Sequence, residues 1–167
     1  NAILMQFIIL ASFFLDSYAY STEGIVGFMV GKRNKKSFLL AVKNSIQLSF
    51  FTALIISILY LIFFKQIINI ITDIDILRFI SYKHALWIII IPPIASFCYQ
   101  LDGIFIGSSQ TRDMRNGMMF SVACFIVISV YLTKYFGNHG LWLSLLLFFL
   151  LRSLTLKYFF NNILKKL

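Results

Sequence analysis

The sequence predicts an all-α membrane protein, a polytopic bundle of about five spanning helices, and its composition and long apolar runs are the evidence. Hydrophobic residues account for 60% of the 167 residues and charged residues for 13%, and the mean hydropathy is +0.88. Soluble domains contain only about 45–50% apolar residues. The apolar runs lack the alternation of a barrel strand, and an open sheet in lipid would leave backbone groups unpaired, so the spans should be helices.

Five apolar segments approach the length of roughly 20 residues that a spanning helix needs. We predict these spans at Ala2–Val30, Ser37–Phe64, Lys83–Ile106, Arg115–Phe136 and Leu141–Phe160. Pro92 and Pro93 lie inside the third span and predict a bend there, because proline lacks an amide donor. The segment 65–82 between the second and third spans fits either a short helix at the membrane interface or a loop.

Basic residues predict the orientation of the bundle. One side would carry nine cations, in the first loop, the third loop and the tail, against four on the other side. The nine are Lys32, Arg33, Lys35, Lys36, Arg112, Arg115, Lys157, Lys165 and Lys166, and the four are Lys65, Arg78, Lys83 and Lys134. The positive-inside rule places the nine-cation side in the cytoplasm of a protein in the inner (plasma) membrane. This bias explains most of the net charge of +9, and no nucleic-acid-binding motif is visible.

Three carboxylates, those of Asp16, Glu23 and Asp102, lie inside predicted spans. A charged side chain in the middle of a bilayer costs roughly 2.5–3.5 kcal/mol on insertion scales, so such residues usually face a bundle interior or a water-filled cavity. Each carboxylate could bind a proton, a cation or the cationic part of a substrate. The alternative is a structural acid at a helix interface, and for Asp102 the last span offers Arg152 as a partner.

Polar and small residues accompany these carboxylates on two spans. Asp16 and Glu23 are seven residues apart, close to two helical turns, so both lie on one face with Tyr20. The third span repeats the pattern, and glycines spaced by four on each span predict close contact with another helix. The candidate site residues are therefore Asp16, Glu23, Asp102, Tyr20 and Tyr99, and the candidate packing glycines are Gly27, Gly31, Gly103 and Gly107.

Other polar residues show no catalytic or metal-binding pattern. Cys98 and Cys124 lie in separate predicted spans, and we expect both to be small buried side chains. The two histidines do not stand at the His-Glu-x-x-His spacing of a zinc protease. We expect His84 at the membrane interface and His139 solvated in a tight turn at 137–140. The sequence thus predicts neither an enzyme nor a metal site, and a pore or structural membrane subunit remains an alternative to a transporter.

Three stretches of the sequence resemble a known transporter family. They are FLDSYAY at 14–20 with EGIVG at 23–27, QLDGIFIG at 100–107 with TRDMRN at 111–116, and GNHGLWL at 137–143. These strings resemble the C-terminal half of the multidrug and toxic compound extrusion (MATE) transporters, and most of all their DNA-damage-inducible F (DinF) type. The similarity covers nearly the whole chain.

The resemblance implies a fold, a function and partners. MATE transporters have twelve helices in two six-helix lobes, so residues 1–167 would be a partial C-terminal lobe that corresponds to helices eight to twelve. Asn1 in place of an initiator Met also predicts a piece of a longer polypeptide, with the N-terminal lobe, the preceding helix and the lipid bilayer as partners. The implied function is export of small amphipathic, often cationic compounds by antiport with protons or sodium, with no cofactor beyond that coupling ion. A lipid-linked sugar flippase of the same superfamily is the alternative.

Overall fold

The computed structural model describes residues 1–165, which form six α-helices joined by short connections. The helices are α1 (Ala2–Gly31), α2 (Lys35–Ile71), α3 (Asp75–Lys83), α4 (Ala85–Gly107), α5 (Thr111–Phe136) and α6 (Asn138–Leu164). All except α3 are long and apolar enough to span a membrane, and the described residues contain no strand. The predicted all-α bundle with five spanning helices is therefore confirmed.

The segment after the second predicted span is helical for most of its length. α2 continues past the predicted end of that span to Ile71, a short connection follows, and the nine-residue α3 comes next. Arg78 of α3 holds this corner together. Its guanidinium donates to the carbonyl oxygen of Thr72 at 2.8 Å and pairs with the Asp73 carboxylate at 3.2 Å. A loop over the whole segment is thus excluded, and all of its apolar residues except Ile74 belong to α2 or α3.

The connections between the spanning helices are short. Asn34 caps α2, because its side-chain oxygen accepts a hydrogen bond from the amide of Ser37 at 3.0 Å. Gly137 alone separates α5 from α6, with a φ of 55° that favours glycine. The expected turn over residues 137–140 is therefore too long, since α6 already begins at Asn138. α5 and α6 consequently form a tight antiparallel hairpin.

α4 occupies the centre of the bundle, with α1, α2 and α6 packed around it. In its most apolar 18-residue stretch 61% of the residues are buried, against 11% in α5, which packs mainly on α6. α1 and α4 run parallel, since Ala19 lies beside Gly103 and Glu23 lies beside Gly107. α4 stays continuous through Pro92 and Pro93. Because α1, α2 and α6 pack around α4, any site that α4 forms is shared with a neighbouring helix.

α2 runs antiparallel to α1 and is linked to it by two polar contacts. The Tyr60 hydroxyl donates to the carbonyl oxygen of Phe7 at 2.7 Å, and the Thr52 hydroxyl donates to the Tyr18 hydroxyl oxygen at 2.9 Å. Early residues of α1 thus meet late residues of α2. These bonds satisfy polar groups inside an otherwise apolar interface, where an unmet hydrogen bond would be costly.

Two hydrophobic clusters fill the bundle, one toward each end. The first joins the start of α1 to the end of α2 and the starts of α4 and α6, and it includes Leu4, Phe64, Ile88 and Trp142. The second joins the end of α1 to the start of α2 and the ends of α4 and α6, and it includes Val26, Phe38, Ile104 and Ile163. The helix ends that the second cluster joins carry most of the cations assigned to the cytoplasm, so these cations lie at one end of the bundle. Lys166 lies outside the described residues, and the side of the membrane stays a prediction.

Candidate functional site

A pocket of about 200 Å³ opens between α1 and α4, with one side chain contributed by α5. Its lining consists of Asp16, Ala19, Tyr20, Glu23, Tyr99, Asp102, Gly103, Ile106 and Met114. The structure thus brings together all five residues that the sequence suggested for a site, along with one of the suggested packing glycines. They meet because α1 and α4 run parallel, which sets their two polar stripes side by side.

Glycines allow the backbones of α1 and α4 to approach closely. A Cβ on Gly103 would overlap the carbonyl oxygen of Ala19, and a Cβ on Gly107 would overlap that of Glu23. Gly27 lies on the same contact, where a Cβ would come within 3.3 Å of the Gly107 carbonyl oxygen. Small residues of this kind drive helix association in membranes, where burial of apolar area gives little advantage.

Gly31 does not take part in this contact, contrary to the sequence-based expectation. A Cβ on Gly31 would meet no atom of the described residues within 4 Å. The physical reason is the length of α4, which ends at Gly107 beside Glu23 and Gly27 and therefore does not extend as far as Gly31. Both Gly103 and Gly107 of α4 pack against α1, whereas of the two α1 glycines only Gly27 packs against α4.

Asp102 forms an ion pair with Arg152 of α6. The Nη2 group of Arg152 donates to both carboxylate oxygens of Asp102, at 2.8 Å and 2.9 Å. The two side chains are 10% and 19% exposed for Arg152 and Asp102. The Nη1 group of Arg152 also contacts the Sδ atom of Met118 on α5. Charge-assisted hydrogen bonds of this kind are roughly twice as strong as neutral ones, so Arg152 joins three helices at the pocket.

The other two carboxylates of the pocket have no cationic partner. Within residues 1–165, neither Asp16 nor Glu23 forms an ion pair or a side-chain hydrogen bond. Asp16 lies near enough to Tyr99 and Asp102 to interact electrostatically with both. Of the three carboxylates that line the pocket, only Asp102 pairs with a cation among the described residues, which leaves a formal excess of two negative charges. Such an excess attracts protons or a cation.

The carboxylates do not form a multidentate metal centre. In the part of the chain that the structure describes, no group of three or more His, Cys, Asp or Glu side chains is arranged to hold a metal ion. Both cysteines are free, with Cys98 buried and Cys124 half-buried. A hard cation in the pocket would therefore need neutral oxygen donors beside a carboxylate, and Tyr20 and Tyr99 are the hydroxyl-bearing residues of the lining.

One buried polar pair beside the pocket escaped the sequence analysis. The Thr22 hydroxyl donates to the side-chain oxygen of Gln100 at 2.8 Å, which links α1 to α4. Gln100 is fully buried, and its Nε2 atom has no hydrogen-bond partner among the described residues. The available signal was the presence of an amide and a hydroxyl inside apolar spans, since buried polar groups in a bilayer need partners on neighbouring helices.

The two histidines meet at the end of the bundle opposite the basic loops. Their imidazole rings stack with centroids 4.3 Å apart, and Trp87 Nε1 donates to Nδ1 of His139 at 3.1 Å. His84 is buried, with Nδ1 lying 2.9 Å from the Ile80 carbonyl oxygen. His139 is exposed, as expected of a solvated side chain, and its ring also packs on that of His84. The short α5–α6 connection brings it against the α3–α4 corner.

Comparisons with known proteins place this arrangement in a family. The MatE family model matches residues 1–134. The chain is 33% identical over 156 residues to DNA damage-inducible protein F of Escherichia coli strain K12, in an alignment that covers 93% of this chain and 34% of that relative. It thus spans about a third of the relative's length, and no solved structure matches it significantly. The chain belongs to the MatE family of multi-pass membrane transporters, the family that its motifs resemble.

Proposed function

We propose that this chain forms part of a secondary active transporter that exports amphipathic, often cationic compounds by antiport with protons or sodium. The observation that carries the proposal is the pocket between α1 and α4, which is lined by Asp16, Glu23 and Asp102 and in which only Asp102 has a cationic partner among the described residues. Burial disfavours the ionised form of a carboxylate, so a carboxylate inside a span gains from binding a proton or a cation. The same pocket would also repel the diphosphate of a lipid-linked sugar, which argues against a flippase.

The tyrosines of the pocket suit the organic part of such a substrate. Tyr20 is 73% exposed and Tyr99 is half-buried, and both line the space that holds the carboxylates. An aromatic face attracts a cation that carries apolar groups and also covers those apolar groups. A lipophilic cation would therefore find a negative charge and an aromatic surface in one place.

The Asp102–Arg152 pair supplies a way for ion binding to change the contacts between helices. A proton on Asp102 would remove the charge that holds the Arg152 guanidinium, and so would weaken the link between α4 and α6. Alternating access in secondary transporters is largely a rigid-body motion of one bundle against another around a fixed site. The pair would thus connect the protonation state of the pocket to the packing of the lobe.

The transporter activity belongs, in this proposal, to a longer polypeptide. The chain spans 34% of its relative, and the exposed side of Tyr20 leaves the pocket open. An N-terminal lobe and the helix before α1 would cover that opening, with the basic loops in the cytoplasm of the plasma membrane. The described helices expressed alone should then be inserted but inactive, and robust antiport by them in liposomes would overturn this part of the proposal.

Carboxylate variants of the complete transporter test the proposal. We expect the double variant Asp16→Asn with Glu23→Gln, and separately Asp102→Asn, to reduce proton- or sodium-driven efflux of a fluorescent lipophilic cation from proteoliposomes by about tenfold or more, a loss of about 1.4 kcal/mol. The matched control is Asp73→Asn, which neutralises an exposed carboxylate paired with Arg78 outside the pocket. Normal membrane insertion with unchanged efflux in both pocket variants would refute the coupling role.

A further inference from the structure

A second concave surface lies on the opposite side of α4 from the carboxylate pocket. This outer groove has a volume of about 310 Å³ and is lined by Val42, Ile46, Phe97, Leu101, Lys157 and Phe160. α2 and α6 form its walls and α4 its floor. At 100° per residue, Phe97 and Leu101 point away from the side of α4 that carries Tyr99 and Asp102. The outer groove is thus separate from the proposed transport site.

Aromatic contacts bound the outer groove at both ends. Toward the basic loops, the rings of Phe38 and Phe160 stack with centroids 6.0 Å apart and join the start of α2 to the end of α6. Toward the middle of the bundle, Phe50 meets Phe97 with centroids 5.3 Å apart. The slot between these contacts runs along about three turns of α2, or roughly 18 Å at 1.5 Å per residue. Its apolar walls suit a hydrocarbon chain.

Among the described residues, Lys157 is the one charged side chain in the lining of the outer groove. It is exposed, and in residues 1–165 it forms no ion pair or hydrogen bond. By contrast, Arg152 on the same helix is paired with Asp102. An unpaired charge in a spanning helix is expensive unless an anion or water compensates it. Lys157 lies seven residues before the end of α6, so its side chain can reach the level of the lipid headgroups, where an anionic group at the mouth of the slot would compensate its charge.

More positively charged residues lie beside one end of the outer groove. Phe38, at its basic end, lies two residues after Lys36 and three after Lys35, and Lys32 and Arg33 precede them in the α1–α2 connection. All four cations are exposed. A cluster of basic residues beside a cleft between spanning helices is the pattern that binds anionic lipid headgroups. Lys157 adds a cation within the cleft itself.

We propose that the outer groove binds one anionic phospholipid of the surrounding bilayer. Its phosphate would pair with Lys157, and one acyl chain would lie along Val42 and Ile46 against Leu101. The lipid would hold α2 against α6, which meet at the Phe38–Phe160 stack. A bilayer lipid is the occupant that both features of the outer groove specify, since a free phosphate would use the lysine and leave the apolar slot empty.

Lipid retention by the complete purified protein tests this proposal. The protein would be reconstituted with equimolar phosphatidylglycerol and phosphatidylethanolamine of the same acyl chains, and the retained lipid would be identified by native mass spectrometry. We expect preferential retention of one phosphatidylglycerol, and a roughly fivefold loss of that preference in Lys157→Gln. Lys157→Arg should keep the preference, which also shows that substitution at this position leaves the fold intact.

Lys43→Gln is the matched control. Lys43 is an exposed lysine beside Val42 but outside the lining of the outer groove, and it lies at a similar distance from the end of its helix as Lys157 does. We expect this variant to retain lipid like the unmodified protein. The proposal is overturned by equal retention of the two lipids, by an unchanged preference in Lys157→Gln, or by an equal loss in Lys43→Gln. Absence of retained lipid, as when another protein segment covers the outer groove, overturns it as well.

Discussion

Glycines allow close helix packing at both the α1–α4 contact and the α5–α6 contact, but the two contacts differ in what lies beside them. In each, a glycine faces the backbone of the neighbouring helix: Gly103 lies against the carbonyl of Ala19, and Gly140 lies against that of Leu132. The first contact joins parallel helices that are far apart in sequence, and three carboxylates line the pocket beside it. The second closes a hairpin around a single-residue connection.

The difference between the two contacts lies in how their polar groups are satisfied. Along α5 and α6 the hydroxyls of Ser121, Ser144 and Thr155 each donate to a carbonyl of their own helix. The Asn162 amide of α6 also donates to the Asp113 carboxylate of α5 at 2.8 Å, so the acid of that contact has a partner. At the α1–α4 contact Asp102 pairs with a third helix, and Asp16 stays unpaired among residues 1–165. Close packing is therefore not itself evidence of a site. The informative feature is a charge inside a span that the neighbouring helices do not compensate.

The largest effect should come from removing the cation that compensates Asp102. We expect Arg152→Gln to destabilise the protein by about 3 kcal/mol, because it leaves a largely buried carboxylate unpaired; partial exposure of Asp102 keeps the loss at the low end of the range for buried pairs. Thermal unfolding in detergent, followed by size-exclusion chromatography with fluorescence detection, measures the loss. Arg152→Lys should recover only part of it, since an ammonium lacks the planar donor arrangement of a guanidinium.

A double variant separates the pair from the packing around it. Adding Asp102→Asn to Arg152→Gln removes the stranded charge, so the double variant should be more stable than Arg152→Gln alone. If the stability losses of the two single variants simply add in the double variant, Asp102 and Arg152 contribute independently, and their ion pair does not stabilise the packing of α4 on α6. The same substitution series at Asp73 and Arg78 should change stability by less than about 1 kcal/mol, as exposed pairs do.

The sequence predicted the fold because membrane helices are specified locally. Length, apolarity and the absence of alternation were sufficient for five spans, and the carboxylates inside apolar runs were sufficient to propose Asp16, Glu23 and Asp102 as a group. Arg152 was identified as a partner for Asp102 for the same reason, since a charge in one span requires compensation from another. These inferences needed no knowledge of how the helices are arranged.

The features that the sequence did not reveal depend on relative helix position. Gly31 has the same local spacing as Gly107, but α4 ends before it could reach Gly31. The stacking of His84 on His139 depends on a connection reduced to Gly137, which places two distant helix ends together. The Thr22–Gln100 bond likewise requires the parallel register of α1 and α4. Each outcome follows from tertiary geometry that a single span does not encode.

An intermediate effect should follow from adding a methyl group at either glycine contact. We expect Gly103→Ala and Gly140→Ala each to cost about 1–3 kcal/mol in thermal stability, because the new Cβ would overlap backbone atoms that cannot rotate away. Only Gly103→Ala should also impair efflux of a lipophilic cation, since Gly103 lines the carboxylate pocket. Equal impairment by Gly140→Ala, measured at a temperature where both variants are folded, would show that the two contacts are coupled in function.

The smallest effect, of opposite sign, is expected at Gly24, which lies on α1 between the packing positions. A Cβ there would meet no atom of the described residues within 4 Å, and alanine in a helix interior is favoured over glycine by up to about 1 kcal/mol. Gly24→Ala should therefore raise the thermal stability slightly. A loss of stability in the complete transporter, with the gain retained when residues 1–167 are expressed alone, would show that a further protein segment packs on this face of α1. The α1–α4 contact would then be one side of a larger interface, unlike the α5–α6 hairpin.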